Sequence, residues 1–168
     1  AGRMRLRKYI SSDSAVICSW IRDEISLYQW SADRIELFPL PSDALDKNYS
    51  GAIGDRFIPL TAVDENGIPV GHLLIRYPDE NDDTVVRFGF VIVSPELRGC
   101  GNGKKLLELA IAYAKEQLSA SLITLGVFDN NPSAKRCYLS VGFLPSGITE
   151  SYSMPVGDWS CTEMELHL

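Results

Sequence analysis

No apolar run of transmembrane length occurs in the sequence. Its longest greasy stretches are strand-sized or interrupted by charge, so neither a membrane-spanning helix nor a secretory leader is expected. Paired cysteines are also missing: Cys18, Cys100, Cys137 and Cys161 are widely scattered, form no CxxC, and have no histidine placed to complete a zinc set. A reduced, cytoplasmic protein without a metal is the expectation. Basic residues are outnumbered, with 16 Lys and Arg against 22 Asp and Glu and a formal charge of -6. The basic stripe that releases counterions from a nucleic acid is therefore absent, and neither nucleic acid nor membrane is expected as a partner. An amine-bearing, cationic partner fits the acidity better. Repeats and low-complexity tracts are lacking too.

What remains is an ordinary globular composition of 168 residues, 45% hydrophobic and 10% aromatic, which fits one domain spanning 1–168. Ala1-Gly2-Arg3 ahead of Met4 reads as a cloning remnant. A short strand over Met4 to Tyr9 precedes Ser11-Ser12-Asp13, which offer N-caps to a helix running toward Ile25. Helical turns and loop follow through Pro39 and Pro41. Phe57 to Val63 and Ile68 to Tyr77 read as a hairpin about the Asn66-Gly67 turn, and Val85 to Val93 as a third antiparallel strand, apolar enough to be buried on both faces. Leu107, Ala110, Ile111, Ala114 and Leu118 then recur at helical spacing over about four turns. Leu122 to Val127 is β-rich, Ser133 to Leu139 a short helix, and Gly142-Phe143 opens the last strands.

The most informative segment is Phe90-Val91-Ile92-Val93, then Ser94-Pro95-Glu96-Leu97, then Arg98-Gly99-Cys100-Gly101-Asn102-Gly103, opening into the amphipathic helix. Glycines let successive backbone N–H groups converge, and a helix start adds unsatisfied donors and partial positive charge, which together make a pyrophosphate cradle. A P-loop is excluded because Arg98 and Lys105 stand where GxxxxGK[ST] requires glycine and a hydroxyl. A dinucleotide GxGxxG is excluded because Lys104 or Leu106 stands at its last glycine.

Arg98 to Gly103 does fit RxxGxG, and with the preceding VxxSPELRG it resembles the acyl-CoA pyrophosphate loop of the GNAT superfamily of N-acyltransferases. Asn131-Pro132-Ser133-Ala134-Lys135-Arg136-Cys137-Tyr138 matches that family's NxxAxxxY, and Gly142-Phe143 its GF ending. The resemblance implies an α/β fold (α+β by some schemes): a mixed central sheet of about seven strands with a splayed parallel pair, Val85 to Val93 beside Leu122 to Val127, flanked by helices. It implies acetyl-CoA as acyl donor, a primary amine on a small molecule or protein as acceptor, and a homodimer through the C-terminal strands. By the same resemblance Val91 and Val93 supply main-chain contacts, a main-chain N–H near Val93 acting as an oxyanion donor. Gly99, Cys100, Gly101, Asn102 and Gly103 hold the pyrophosphate with Arg98 adding charge or bracing the loop. Lys104, ahead of Lys105, Lys135 and Arg136, meets a phosphate, and Asn131 bonds pantetheine or caps its helix. Tyr138, protonated at neutral pH, is the expected donor of a proton to the departing thiolate.

The strand Val85-Val86-Arg87-Phe88-Gly89-Phe90 lacks the glutamate that many relatives place there. That leaves the general base to a water relay or to Glu24, Glu36 or Asp158, and keeps open the alternative of an idle acyl-CoA sensor. Trp30, Tyr152 and Trp159 are the aromatic candidates for the acceptor pocket. His72 reads as a packed core histidine and His167 has no role.

Overall fold

Seven strands form one sheet in the order β1-β2-β3-β4-β5-β7-β6 in the computed structural model, which describes residues 3–99 and 101–168. Cys100, one of the expected cradle residues, lies outside the described residues. The strands are β1 (Arg5–Lys8), β2 (Phe57–Val63), β3 (Pro69–Arg76), β4 (Val85–Val93), β5 (Leu122–Phe128), β6 (Leu144–Met154) and β7 (Gly157–His167). The helices are α1 (Asp13–Ser19), α2 (Glu24–Ser31), α3 (Ala44–Tyr49), α4 (Asn102–Glu116) and α5 (Pro132–Ser140). All neighbours are antiparallel except β4 and β5. The seven-stranded mixed sheet with one parallel pair is thus the architecture that the resemblance implied.

Each face of the sheet has its own core. On one, α4 sets Leu106, Leu107, Ala110 and Ala114 against Val86, Phe88, Ile123 and Leu125. Ile111 and Leu118, expected in the same stripe, flank this core half-buried. On the other face α1, α2 and α3 bring Ile17, Leu27, Tyr28, Leu45 and Tyr49 onto Leu74, Phe90 and Ile92. The β2–β3 turn closes through the Asp64 carboxylate, which accepts the amides of Asn66 and Ile68, while Gly67 takes φ +79°.

The single helix expected from Ser11 toward Ile25 is two. Ser12 makes no side-chain cap, α1 ends at Ser19, and Asp23 starts α2 by accepting the Ser26 amide at 2.7 Å. The cap signal at Asp23 overrides the apolar spacing. Asp13 serves as a buried anchor, accepting two bonds from Arg7 (2.7 and 2.8 Å), the Ile10 amide and the Thr61 hydroxyl.

That anchor sets the tautomer of His72. Thr61 gives its hydroxyl proton to Asp13, so its oxygen receives His72 Nδ1–H at 3.3 Å, and His72 Nε2 accepts from Tyr49 Oη at 2.7 Å. His72 is fully buried, and burial pushes its pKa down to about 3 despite the nearby Asp13 charge. Above its unfolded value of 6.5 both states are neutral and nothing changes with pH. Between 6.5 and about 3 only the unfolded chain takes the proton, so stability falls with pH by up to about 1.4 kcal/mol per unit. Asp13 adds to the loss only at lower pH: burial raises its pKa, but the bonds from Arg7, Ile10 and Thr61 hold it below 3.8. In urea titrations from about pH 7 to about pH 4.5, His72→Gln should abolish this slope. An unchanged slope would place the titrating group elsewhere.

Candidate active site

The site begins with one extra residue in β4. His72 pairs with Ile92 and Leu74 with Gly89, so one β3 residue faces two on β4, Phe90 and Val91, and Phe90 takes φ 50°. Val86 and Phe88 point toward α4, but after this bulge Phe90 and Ile92 point to the opposite core. Pairing with β5 stops at Arg87–Thr124, although β4 runs on to Val93 and β5 to Phe128. The two strands part there and open a cleft of ≈ 830 Å³ through the sheet. The alternating half-burial of Arg87, Gly89 and Val91 corrects the expectation of a strand buried on both faces: these residues border the opening.

Toward α4 and α5 the cleft wall includes Gly99, Gly101, Gly103, Lys104 and Arg136. Gly99 and Gly101 adopt φ +78° and +76°, with open space where a Cβ would stand. The α4 helix bonds begin with Lys105 N–H to Gly101 O, leaving the amides just before it free of helical partners. Gly103 has a second reason to be glycine, because a Cβ would lie 3.2 Å from Cys137 Sγ on α5. Arg98 Nε holds Val93 O at 3.2 Å, and Asn102 Nδ2 holds Leu97 O at 3.1 Å, so both side chains brace the loop. Two left-handed glycines, a helix N-terminus and two cations fit a pyrophosphate.

Val91, Val93, Asn131 and Tyr138 also line the cleft, where the sequence puts them together. Asn131 caps α5 by accepting the Ala134 amide at 3.3 Å. Tyr138 packs edge-on to Phe143, and burial pushes its phenol pKa well up, so it stays protonated at neutral pH. Cys137 and Cys161 line the cleft as thiols; burial raises both, Cys161 to about 11.

The face toward α2 carries what the sequence reading missed. Trp30 and Tyr152 line it as expected, whereas Trp159 packs outside on Phe128 and Tyr28. Glu24, Glu36 and Asp158 are not in the wall: Glu24 accepts from Tyr28 Oη, and Asp158 from Ser153. Instead Arg34, Arg76 and Arg87 line it, with Asp33 the carboxylate in the lining. The overall charge of -6 thus conceals a locally basic wall. Alternation along β3 and β4 could have put Arg76 and Arg87 on one face, but no local signal brings Arg34 over them.

The comparisons agree with this geometry. Residues 22–143 match the model of the acetyltransferase (GNAT) family. The chain belongs to that family. This GNAT domain resembles, at TM-score 0.81 and 19% identity over 98% of its length and 95% of the other chain, the spermidine N-acetyltransferase of Vibrio cholerae solved with CoA and spermine. A chimera of the Vibrio cholerae enzyme with hSSAT matches at TM-score 0.75 and 22% identity, again over 98% and 95%. The peptidyl-lysine N-acetyltransferase YjaB of Escherichia coli (strain K12) is 33% identical over 89 residues, 53% of this chain and 51% of that one. The chain therefore spans about half the length of that curated relative. Among the described residues no helix is long and apolar enough to cross a membrane.

Within this GNAT site Gly126 makes room for an ion pair. Arg87 donates to Glu163 at 2.6 and 3.0 Å, and a Cβ on Gly126 would stand 2.8 Å from that carboxylate and 2.9 Å from Cys161 Sγ. Gly126→Ala should lower stability by about 1–3 kcal/mol in urea unfolding, because the paired groups and the short Cys161 side chain have little freedom to retreat. No change would mean that the pair shifts without strain.

Proposed function

We propose that this protein is an N-acetyltransferase that holds acetyl-CoA and a primary amine together, one on each side of the opened sheet, and that the amine attacks the thioester directly. The observation that carries this reading is the through-sheet cleft, with a phosphate cradle at one end and an aromatic, charged wall at the other. The named relatives act on amines, spermidine and peptidyl-lysine, which supports an amine acceptor here. Acetyl-CoA supplies an activated acetyl group as a thioester. Gly99, Gly101, Asn102 and Gly103 hold its pyrophosphate through backbone N–H groups, Lys104 adds charge, and Asn131 orients the pantetheine arm. Val91 and Val93 offer main-chain partners along the separated edge of β4.

Tyr138 donates its phenolic proton to the sulfur as the C–S bond breaks and the new C–N bond forms. The proton lost by the amine leaves to water in the cleft, and Tyr138 is reprotonated from solvent. Keeping Cys137 and Cys161 as thiols disfavours an acetylated cysteine and so supports direct attack. The free state of Cys18, Cys137 and Cys161 accords with a reducing, cytoplasmic setting.

Calorimetric titration should give saturable acetyl-CoA binding that Gly101→Trp abolishes while circular dichroism remains that of the wild type. Binding unaffected by this substitution would remove the cradle assignment. Tyr138→Phe should keep acetyl-CoA affinity and lower kcat by about a hundredfold or more. Full activity in that variant would exclude Tyr138 as the acid. Acetyl-CoA binding without CoA release across a broad amine panel would favour an idle sensor.

A further inference from the structure

Arg76 and Arg87 stand directly opposite one another on β3 and β4, an arrangement in which like charges repel. Arg87 is neutralised by Glu163 through its two short bonds. Arg76 has no ion pair or side-chain hydrogen bond among the described residues, and neither has Arg34, which lies over Phe90 at 5.3 Å from the ring centroid. Gly89 lets Arg34 approach the strand: its Nη1 would be 3.5 Å from a Cβ there. All three guanidinium groups line the same part of the cleft, opposed by Asp33. Beside them the Trp30 indole N–H is buried with no hydrogen-bond acceptor among the described residues.

The electrostatics fit this placement. Burial, then repulsion from Arg34 and Arg87, lowers Arg76 to about 10, and burial, then Arg87, lowers Arg34. Both remain charged at neutral pH. Two planar forks that form no ion pair among the described residues, with Asp33 the carboxylate in the same wall, face a cleft between aromatic walls; they suit a bidentate oxyanion and repel a polycation.

We infer that the acceptor amine of this enzyme also carries a carboxylate or phosphoryl group, which Arg34 and Arg76 grip on the α2 side of the cleft. The inference rests on the acetyltransferase reading above and narrows its substrate to an anionic amine. It sets this chain apart from enzymes named for spermidine. The anion fixes the acceptor at its charged end and leaves its amine directed through the opened sheet toward the thioester.

The test is CoA release at fixed ionic strength from acetyl-CoA with matched amines: ethylamine, glycine, aminomethylphosphonate and ethylenediamine, and phenethylamine beside phenylalanine. The anionic members should exceed their neutral and dicationic partners in kcat/KM by roughly ten- to hundredfold, and glycine against aminomethylphosphonate tells carboxylate from phosphoryl. Arg34→Gln and Arg76→Gln should erase that preference chiefly through KM, with acetyl-CoA affinity unchanged. A lysine peptide or a diamine used as well as the anionic amines would overturn the inference while leaving the acetyltransferase reading intact. Should none of these amines turn over, CoA-saturated protein, its glycine cradle filled, is titrated with inorganic phosphate and with succinate. Saturable binding lost in both variants upholds the anion site, and no binding overturns it. Failure of wild-type protein to bind acetyl-CoA at all would instead defeat the underlying function.

Discussion

The left-handed backbone of Phe90 is the constraint on which the rest of the site depends. A non-glycine residue at φ 50° costs of order 1–3 kcal/mol unless its surroundings hold it. Here the ring is clamped: Trp30 meets it edge-on at 4.9 Å, Tyr49 at 5.7 Å, and Arg34 lies over it. The aromatic core beneath α2 and α3 therefore stabilises a backbone defect, and that defect separates β4 from β5. A regular strand would have kept Phe90 and Ile92 on the α4 face and continued the parallel ladder across the region where the cleft now lies.

Tyr49 ties this clamp to a buried polar chain. Arg7, Asp13, Thr61, His72 and Tyr49 are linked in sequence by hydrogen bonds crossing β1, α1, β2, β3 and α3. Every donor in the chain has an acceptor only if His72 is neutral, the form that burial also imposes. An otherwise costly set of buried polar groups thus orients the ring that packs on Phe90. The histidine that invites a catalytic reading from its chemistry is, in its surroundings, a structural spacer.

The glycine-loop side of the cleft was legible because its signals are local. RxxGxG and NxxAxxxY each put a backbone conformation and its functional residues within a few positions, and Gly99, Gly101 and Asn131 adopt the turn and cap geometries that their residue types favour. Strand limits were legible where alternation or turn chemistry was strong, as at Asp64 to Gly67. The α1–α2 break was written at Asp23 but hidden under continuing apolar spacing. The α2 side of the cleft was not legible, because it assembles Arg34 from a loop, Arg76 and Arg87 from adjacent strands, and Glu163 from β7. Only tertiary structure decides which carboxylate meets which arginine. For the same reason Glu24, Glu36 and Asp158, acidic and plausibly placed along the chain, fall outside the cleft, while net charge misjudged the sign of its wall.

On the proposed reading, the two walls of the cleft handle donor and acceptor and draw much of their lining from different stretches of chain. The glycine loop and α5 form one wall, while α2 and the turn after it supply Trp30, Asp33 and Arg34 to the other, starting from Ala32 at φ 54°. Because Arg34 both lines that wall and lies over Phe90, a change in this short turn touches the backbone that parts the strands as well as the wall itself. On the proposed reading, recognition of the amine and the opening of the sheet share one residue, so the wall cannot be rewritten at Arg34 independently of the cleft it faces.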